Sequence, residues 1–137
     1  DSESAISAIV LAERPHHGLF GEEHGLVGDE SSPWRWIIDP IDGTRDFSRG
    51  STLWSVLIGL EAGDEVIVGV VNIPSWNQEY YATRGGGAFC NGKRIQVSSI
   101  DTASKAVLFF NGLREAYTRE LAPRLVISWA NSGQCGA

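Results

Sequence analysis

The sequence predicts an α+β fold in which an antiparallel sheet is layered with helices. Three observations carry that expectation. Residues 51–60 and 66–73 are apolar and partly β-branched, and Ala62-Gly63-Asp64-Glu65 lies between them, which is the pattern of a hairpin. Asn91-Gly92, flanked by residues 88–90 and 93–97, is a strong two-residue hairpin signal. Ahead of both, residues 3–13 set Ile6, Ile9 and Val10 at helical spacing among the helix formers Ala5, Ala8 and Ala12.

The elements follow in chain order. Pro15 stops the first helix, because its ring cannot continue the hydrogen-bond ladder. Leu19-Phe20 reads as a short strand leading into Gly21-Glu22-Glu23. Gly25, Gly28 and residues 29–33 read as a polar loop. Residues 35–39 form a short strand that ends at Pro40, which biases Asp39 toward extended backbone. A helix is expected just after Asp42. Pro74 closes the second strand of the hairpin, and residues 78–83 make a third, with Tyr80 and Tyr81 as sheet packing. A turn at 84–87 and the Asn-Gly hairpin complete a meander of five or six strands. Beyond Asp101 the pattern weakens: 107–110 and 125–129 read as strands, 114–121 as a helix. The expected organisation is a domain over residues 1–99 and a partial or irregular C-terminal segment over 100–137.

Composition narrows the function. A chain of 137 residues can bury a real core, and 42% apolar with 20% charged residues is ordinary for a soluble protein. The net charge of −6 argues against a nucleic-acid surface. It leaves room for a small phosphorylated substrate, because a bound cation reverses the local field. No apolar run approaches the roughly 20 residues a membrane helix needs, and no secretory leader is visible. Cys90 and Cys135 lack metal spacing and read as reduced thiols of a cytoplasmic protein. The five tryptophans do not interleave with basic residues, so they read as packing. The chain opens inside a helix already under way and closes without periodic pattern, so an incomplete enzyme is expected.

Residues 34–50 hold the chemistry. A short apolar run ends in Asp39 and Asp42, with the stiff Pro40 between them and Gly43-Thr44 directly after. Two carboxylates on one corner repel unless something neutralises them, and a hard divalent cation with oxygen ligands does so well. Gly43 permits a tight turn, and a helix after it would aim N–H donors at an anion. Metal beside anion points to phosphate chemistry. The plainer reading, that Asp-Pro and Asp-Gly are turn pairs and helix caps, stays open on these residues alone. His16, His17 and His24 lack partners at ligand spacing and are expected in no catalytic role; His16-His17 reads as an exposed turn after Pro15. Arg45 and Arg49 could steer an anion or face solvent.

Three blocks in order resolve that choice. Asp39-Pro40-Ile41-Asp42-Gly43-Thr44, preceded by Trp36-Ile37-Ile38, resembles the signature of the inositol monophosphatase family of metal-dependent, lithium-sensitive phosphatases. Gly21-Glu22-Glu23 matches an earlier element of that family. Gly87-Ala88-Phe89-Cys90-Asn91-Gly92 with Ile95-Gln96-Val97-Ser98 matches a later hairpin. The resemblance implies two or three Mg²⁺ ions, inhibition by Li⁺, and a homodimer. It also implies that Asp39 bridges two ions, that Glu22 and the Ile41 carbonyl complete one site, and that Asp42 holds the second. Thr44 would orient the attacking water, with helix capping as the alternative, and the Gly43 and Thr44 N–H groups would hold phosphate oxygens. Glu23 would support metal or water. Oxygen-only ligands favour Mg²⁺ over Zn²⁺.

The family pairs the residue matching Thr44 with an Asp at the start of the first helix. Counting back from Glu22 puts it upstream of Asp1, so Asp1 is not given that role. The family's C-terminal Trp-Asp element is not found; Trp129-Ala130-Asn131 lacks the acid. The expected activity is hydrolysis of a phosphate monoester, myo-inositol monophosphate first and histidinol phosphate second. The alternative is a catalytically inactive metal-binding domain.

Overall fold

The computed structural model describes residues 1–107. The expected elements at 114–121 and 125–129, most of that at 107–110, and Cys135 lie outside the described residues. Helix α1 (Ser2–Glu13) is followed by strands β1 (Gly18–Gly21), β2 (Gly25–Gly28) and β3 (Trp34–Asp42), then by the short helix α2 (Thr44–Ser48). Strands β4 (Ser55–Ala62), β5 (Glu65–Ile73), β6 (Gln78–Thr83), β7 (Gly87–Cys90) and β8 (Lys93–Ile95) complete one sheet. Its order is β2-β1-β3-β4-β5-β6-β7-β8.

The α+β class stands, and the expected meander forms as β3 to β8, six strands paired antiparallel throughout, but the sheet it belongs to is larger and mixed. Among the described residues it has eight strands, and β1 pairs with β3 in parallel, Leu19 opposite Trp36 and Gly21 opposite Ile38. The expected loop at 25–33 begins with a strand, because Leu26 and Val27 pair with Phe20 and Leu19. The chain then crosses the start of β1 to reach β3. Gly18 is required where it crosses: a Cβ there would stand 2.9 Å from the Asp29 carbonyl oxygen.

Strand β3 runs three residues past its expected end, through Pro40 to Asp42. Its register against β4 shifts between Asp39 and Asp42. Such an irregularity is where a strand tolerates a residue with no N–H to donate. The β4–β5 turn is tighter than expected, and its first strand begins at Ser55 rather than Ser51. At the other end, Asn91 (φ 47°) and Gly92 (φ 76°) both take positive φ, as a type I′ hairpin demands. Tyr81 stacks on Phe89 at 5.3 Å, which bears out the packing role expected of it.

Among the described residues the most deeply buried apolar side chains are Leu19, Ile38 and Leu60. They lie on neighbouring strands β1, β3 and β4, and α1 packs against β3. The inward stripe of α1 is not the one its apolar pattern suggests. Ile9 is 67% exposed, whereas Glu3 is fully buried and Ile6, Ser7 and Val10 are half-buried on the same stripe. The expected exposed turn at His16-His17 is also partly sheltered. The His17 ring stacks against Trp34 and Trp36 and accepts a 3.0 Å hydrogen bond from the Trp36 indole.

Ile38 ties the core to the acidic end of its own strand, at 1% exposure. Ile38→Ala should therefore cost about 2–5 kcal/mol through lost burial and an unfilled cavity. Urea unfolding followed by tryptophan fluorescence should show a lower midpoint with an unchanged slope.

Candidate metal and phosphate site

Two loops build the site. The first is the turn Glu22-Glu23-His24 between β1 and β2; the second is the β3 end with Gly43 and Thr44. They are joined by the backbone, because Glu22 N–H donates to the Ile38 carbonyl at 3.1 Å. The parallel pairing of β1 with β3 makes this possible, since both strands deliver their C-terminal ends to the same edge.

At that edge the carboxyl groups of Glu22 and Asp39 are close enough to act on each other. Side-chain hydrogen bonding with Asp39, and then its charge, push the Glu22 carboxyl above its ordinary value, with desolvation and the charges of Glu23 and Glu3 adding to the effect. Two carboxyl groups brought this close repel when ionised, and a divalent cation between them cancels that repulsion.

Asp39 is also held from its own chain: its Oδ1 accepts from the Ile41 N–H at 3.1 Å. The Ile41 carbonyl accepts the Thr44 hydroxyl at 3.0 Å. Thr44 therefore does not cap α2. Gly43 occupies the cap position with φ +87°, and its carbonyl accepts from Asp46 and Phe47. Asp42 is exposed and meets the Ser55 hydroxyl at 3.4 Å. Helix α2 is only five residues long, so its dipole is small, and any grip on an anion must come from individual N–H donors. A pocket opens beside Asp42, walled by Thr52, Trp54, Ser55, Ile73 and Trp76.

The structure thus links Asp39, Ile41 and Thr44 by hydrogen bonds and ties Glu22 to the same strand end through the Ile38 carbonyl. Three further metal-capable side chains were not foreseen as a group: ligand atoms of Asp1, Glu23 and His24 lie within 4.8 Å of one another on the surface. Asp1 also caps α1 through the Ser4 N–H at 2.7 Å. Glu23 thus faces Asp1 and His24. His24 reaches its partners through the fold, not through helical spacing, so spacing alone could not reveal it.

The residue that sequence reasoning missed altogether is Glu3. Its Oε2 accepts the Glu23 N–H at 2.8 Å, and its Oε1 accepts the His24 N–H at 2.9 Å. The His24 ring nitrogen Nδ1 also lies 2.8 Å from Oε1. Burial alone would raise the Glu3 carboxyl, but these hydrogen bonds outweigh it and hold the group below its ordinary value. The one legible signal was a charged residue on the stripe shared by Ile6 and Val10.

Known proteins give the comparison. The family model described as the inositol monophosphatase family matches residues 1–124. A curated histidinol-phosphatase of Chlorobaculum parvum is 43% identical over 110 residues, covering 80% of this chain and 42% of that protein. A fructose-1,6-bisphosphatase/inositol-1-monophosphatase of Aquifex aeolicus is 40% identical over 105 residues, covering 77% of this chain and 39% of that protein. Among solved structures, inositol monophosphatase from Anabaena superposes with a TM-score of 0.72 at 31% identity, covering 75% of this chain and 41% of that one. The chain therefore spans about two fifths of the curated relatives it matches.

Proposed function

The chain belongs to the inositol monophosphatase family, and from that premise we propose that it hydrolyses a small phosphate monoester with the help of Mg²⁺. The observation that carries the reading is the convergence of Glu22 and Asp39 from two separate loops: the Glu22 N–H donates to the Ile38 carbonyl at 3.1 Å, one residue before Asp39, and the two carboxyl groups act on each other. In this reading Glu22, Asp39, the Ile41 carbonyl and Asp42 would hold the cations. Mg²⁺, when bound, supplies Lewis-acid polarisation of the phosphoryl group and eases deprotonation of water.

The chain's own groups do the positioning. The Gly43 and Thr44 N–H groups hold phosphate oxygens, where fixed donors count most in a water-poor site. The Thr44 hydroxyl spends its single proton on the Ile41 carbonyl, so its oxygen meets the attacking water as an acceptor. Glu23 supports that water or a cation ligand from one residue further along. The water oxygen forms a bond to phosphorus, the ester P–O bond breaks, and the water's proton ends on the released alcohol.

The pocket beside Asp42 supports a small alcohol as leaving group, with Thr52 and Ser55 as hydroxyl partners and the Trp54 and Trp76 indoles as walls. A myo-inositol monophosphate is the first substrate. Histidinol phosphate is the second reading, favoured by the 43% identity to a histidinol-phosphatase. A cytoplasmic homodimer and inhibition by Li⁺ belong to the same proposal; light scattering and a Li⁺ titration test them. Among the described residues no helix is long and apolar enough to cross a membrane.

The test is phosphate release from both esters with Mg²⁺ present. Turnover that Asp42→Asn abolishes supports the proposal. Mg²⁺ binding without any turnover would favour the inactive metal-binding domain instead.

A further inference from the structure

Glu3 has no part in the chemistry above, yet it is the most completely buried charged side chain among the described residues, with no measurable exposure. A charge in such a place is costly unless its oxygens are fully used. They are: three nitrogens of Glu23 and His24 converge on them. Both backbone donors belong to the two residues directly after Glu22.

The glycine before Glu22 fits the same arrangement. A Cβ on Gly21 would stand 2.0 Å from Glu3 Oε1 and 2.8 Å from Oε2. The carboxylate thus lies flat against the backbone, and only glycine lets it approach. Gly21 has an ordinary φ and no turn to make, so this contact is the reason for its identity. Glu22 then stands between two anchors. Its own N–H is bonded to Ile38 of β3, and the next two N–H groups are bonded to Glu3 of α1.

We propose that Glu3 is a positioning residue for the cation site: its buried carboxylate clamps the Gly21–His24 corner so that Glu22 is held against Asp39. The inference rests on the metal-site reading of Glu22 and Asp39 and adds to it the device that sets their spacing. The Gly-Glu-Glu element then has three distinct duties. Gly21 admits the clamp, Glu22 faces Asp39, and Glu23 lends its N–H to the clamp.

The test compares wild type, Glu3→Gln and His24→Ala in the full chain by Mg²⁺ calorimetry, by melting in chelator, and by hydrolysis against Mg²⁺ concentration. Glu3→Gln presents an NH₂ where an N–H donor already points. It should weaken Mg²⁺ binding roughly tenfold or more, in the range known for groups that orient metal ligands. Turnover at saturating Mg²⁺ should be largely recovered. His24→Ala removes an exposed ring and one donor to Oε1, so it folds even if Glu3→Gln does not. It should weaken Mg²⁺ binding by roughly fivefold, about one hydrogen bond's net worth.

A lower melting temperature with unchanged Mg²⁺ affinity in the folded variants would overturn the proposal, leaving Glu3 a purely structural residue. A wild-type chain that binds no Mg²⁺ would instead overturn the site reading, and the clamp's purpose with it.

Discussion

Asp39→Asn should cut phosphate release by roughly 10²–10³-fold, because it withdraws the carboxylate that joins the two loops and with it several kcal/mol of charge stabilisation. The same change should make the metal-free protein more stable at neutral pH. The sign follows from Glu22, whose carboxyl is raised above its ordinary 4.5 by Asp39. A carboxyl raised on folding contributes stability that is whole below the unfolded value and lost as pH rises through the folded one. Above that point both groups ionise, and the native state alone carries their repulsion. In chelator, the wild-type melting temperature should therefore fall as pH rises from about 4.5 toward neutrality, and Asp39→Asn should flatten that limb. Added Mg²⁺ should restore wild type and do little for the variant. A variant that loses activity and stability together at pH 7 would contradict this account.

The second large effect is expected at Gly43. Its φ of +87° lies where a side chain costs about 1–2 kcal/mol, and a Cβ would meet the Leu53 carbonyl oxygen at 2.8 Å. That oxygen is backbone, so the corner must shift rather than the neighbour. Gly43→Ala should lower urea stability modestly and kcat/KM by about 10²-fold, the loss that a displacement near 1 Å produces when fixed donors address the reacting group. Mg²⁺ affinity should change less, because Glu22 and Asp39 lie before the glycine. Activity within a few-fold of wild type would show that the corner holds no phosphate.

Local chemistry made much of this legible. The Asn91-Gly92 turn and the strand at 78–83 are set by residues a few positions apart and formed as expected, and the β4–β5 hairpin formed with a tighter turn. Asp39 and Asp42 were nominated by the same kind of reading, whereas Glu22 and the Ile41 carbonyl were nominated only through the family resemblance. The misses are tertiary. Strand β2 looks like a loop because its two apolar residues are bracketed by glycines, and only pairing with Leu19 and Phe20 makes it a strand. The parallel β1–β3 match depends on where an intervening crossover lands. Strand β3 outran Pro40 because a register shift removed the need for an N–H there. Glu3 drew no notice in the sequence, since a carboxylate's partners twenty residues away leave no trace in periodicity.

The two halves of the site are secured in different ways. Asp39 stands on a strand laced to neighbours on both edges, so its amides should be among the last to exchange with deuterated water. Beyond its own hairpin ladder, the Glu22 turn is tied to β3 by one backbone bond and to α1 by one ionised side chain. As acid approaches the lowered titration point of Glu3, that turn should open by itself while the sheet persists. Ion release would then precede unfolding, and its rate would report the breathing of a single loop.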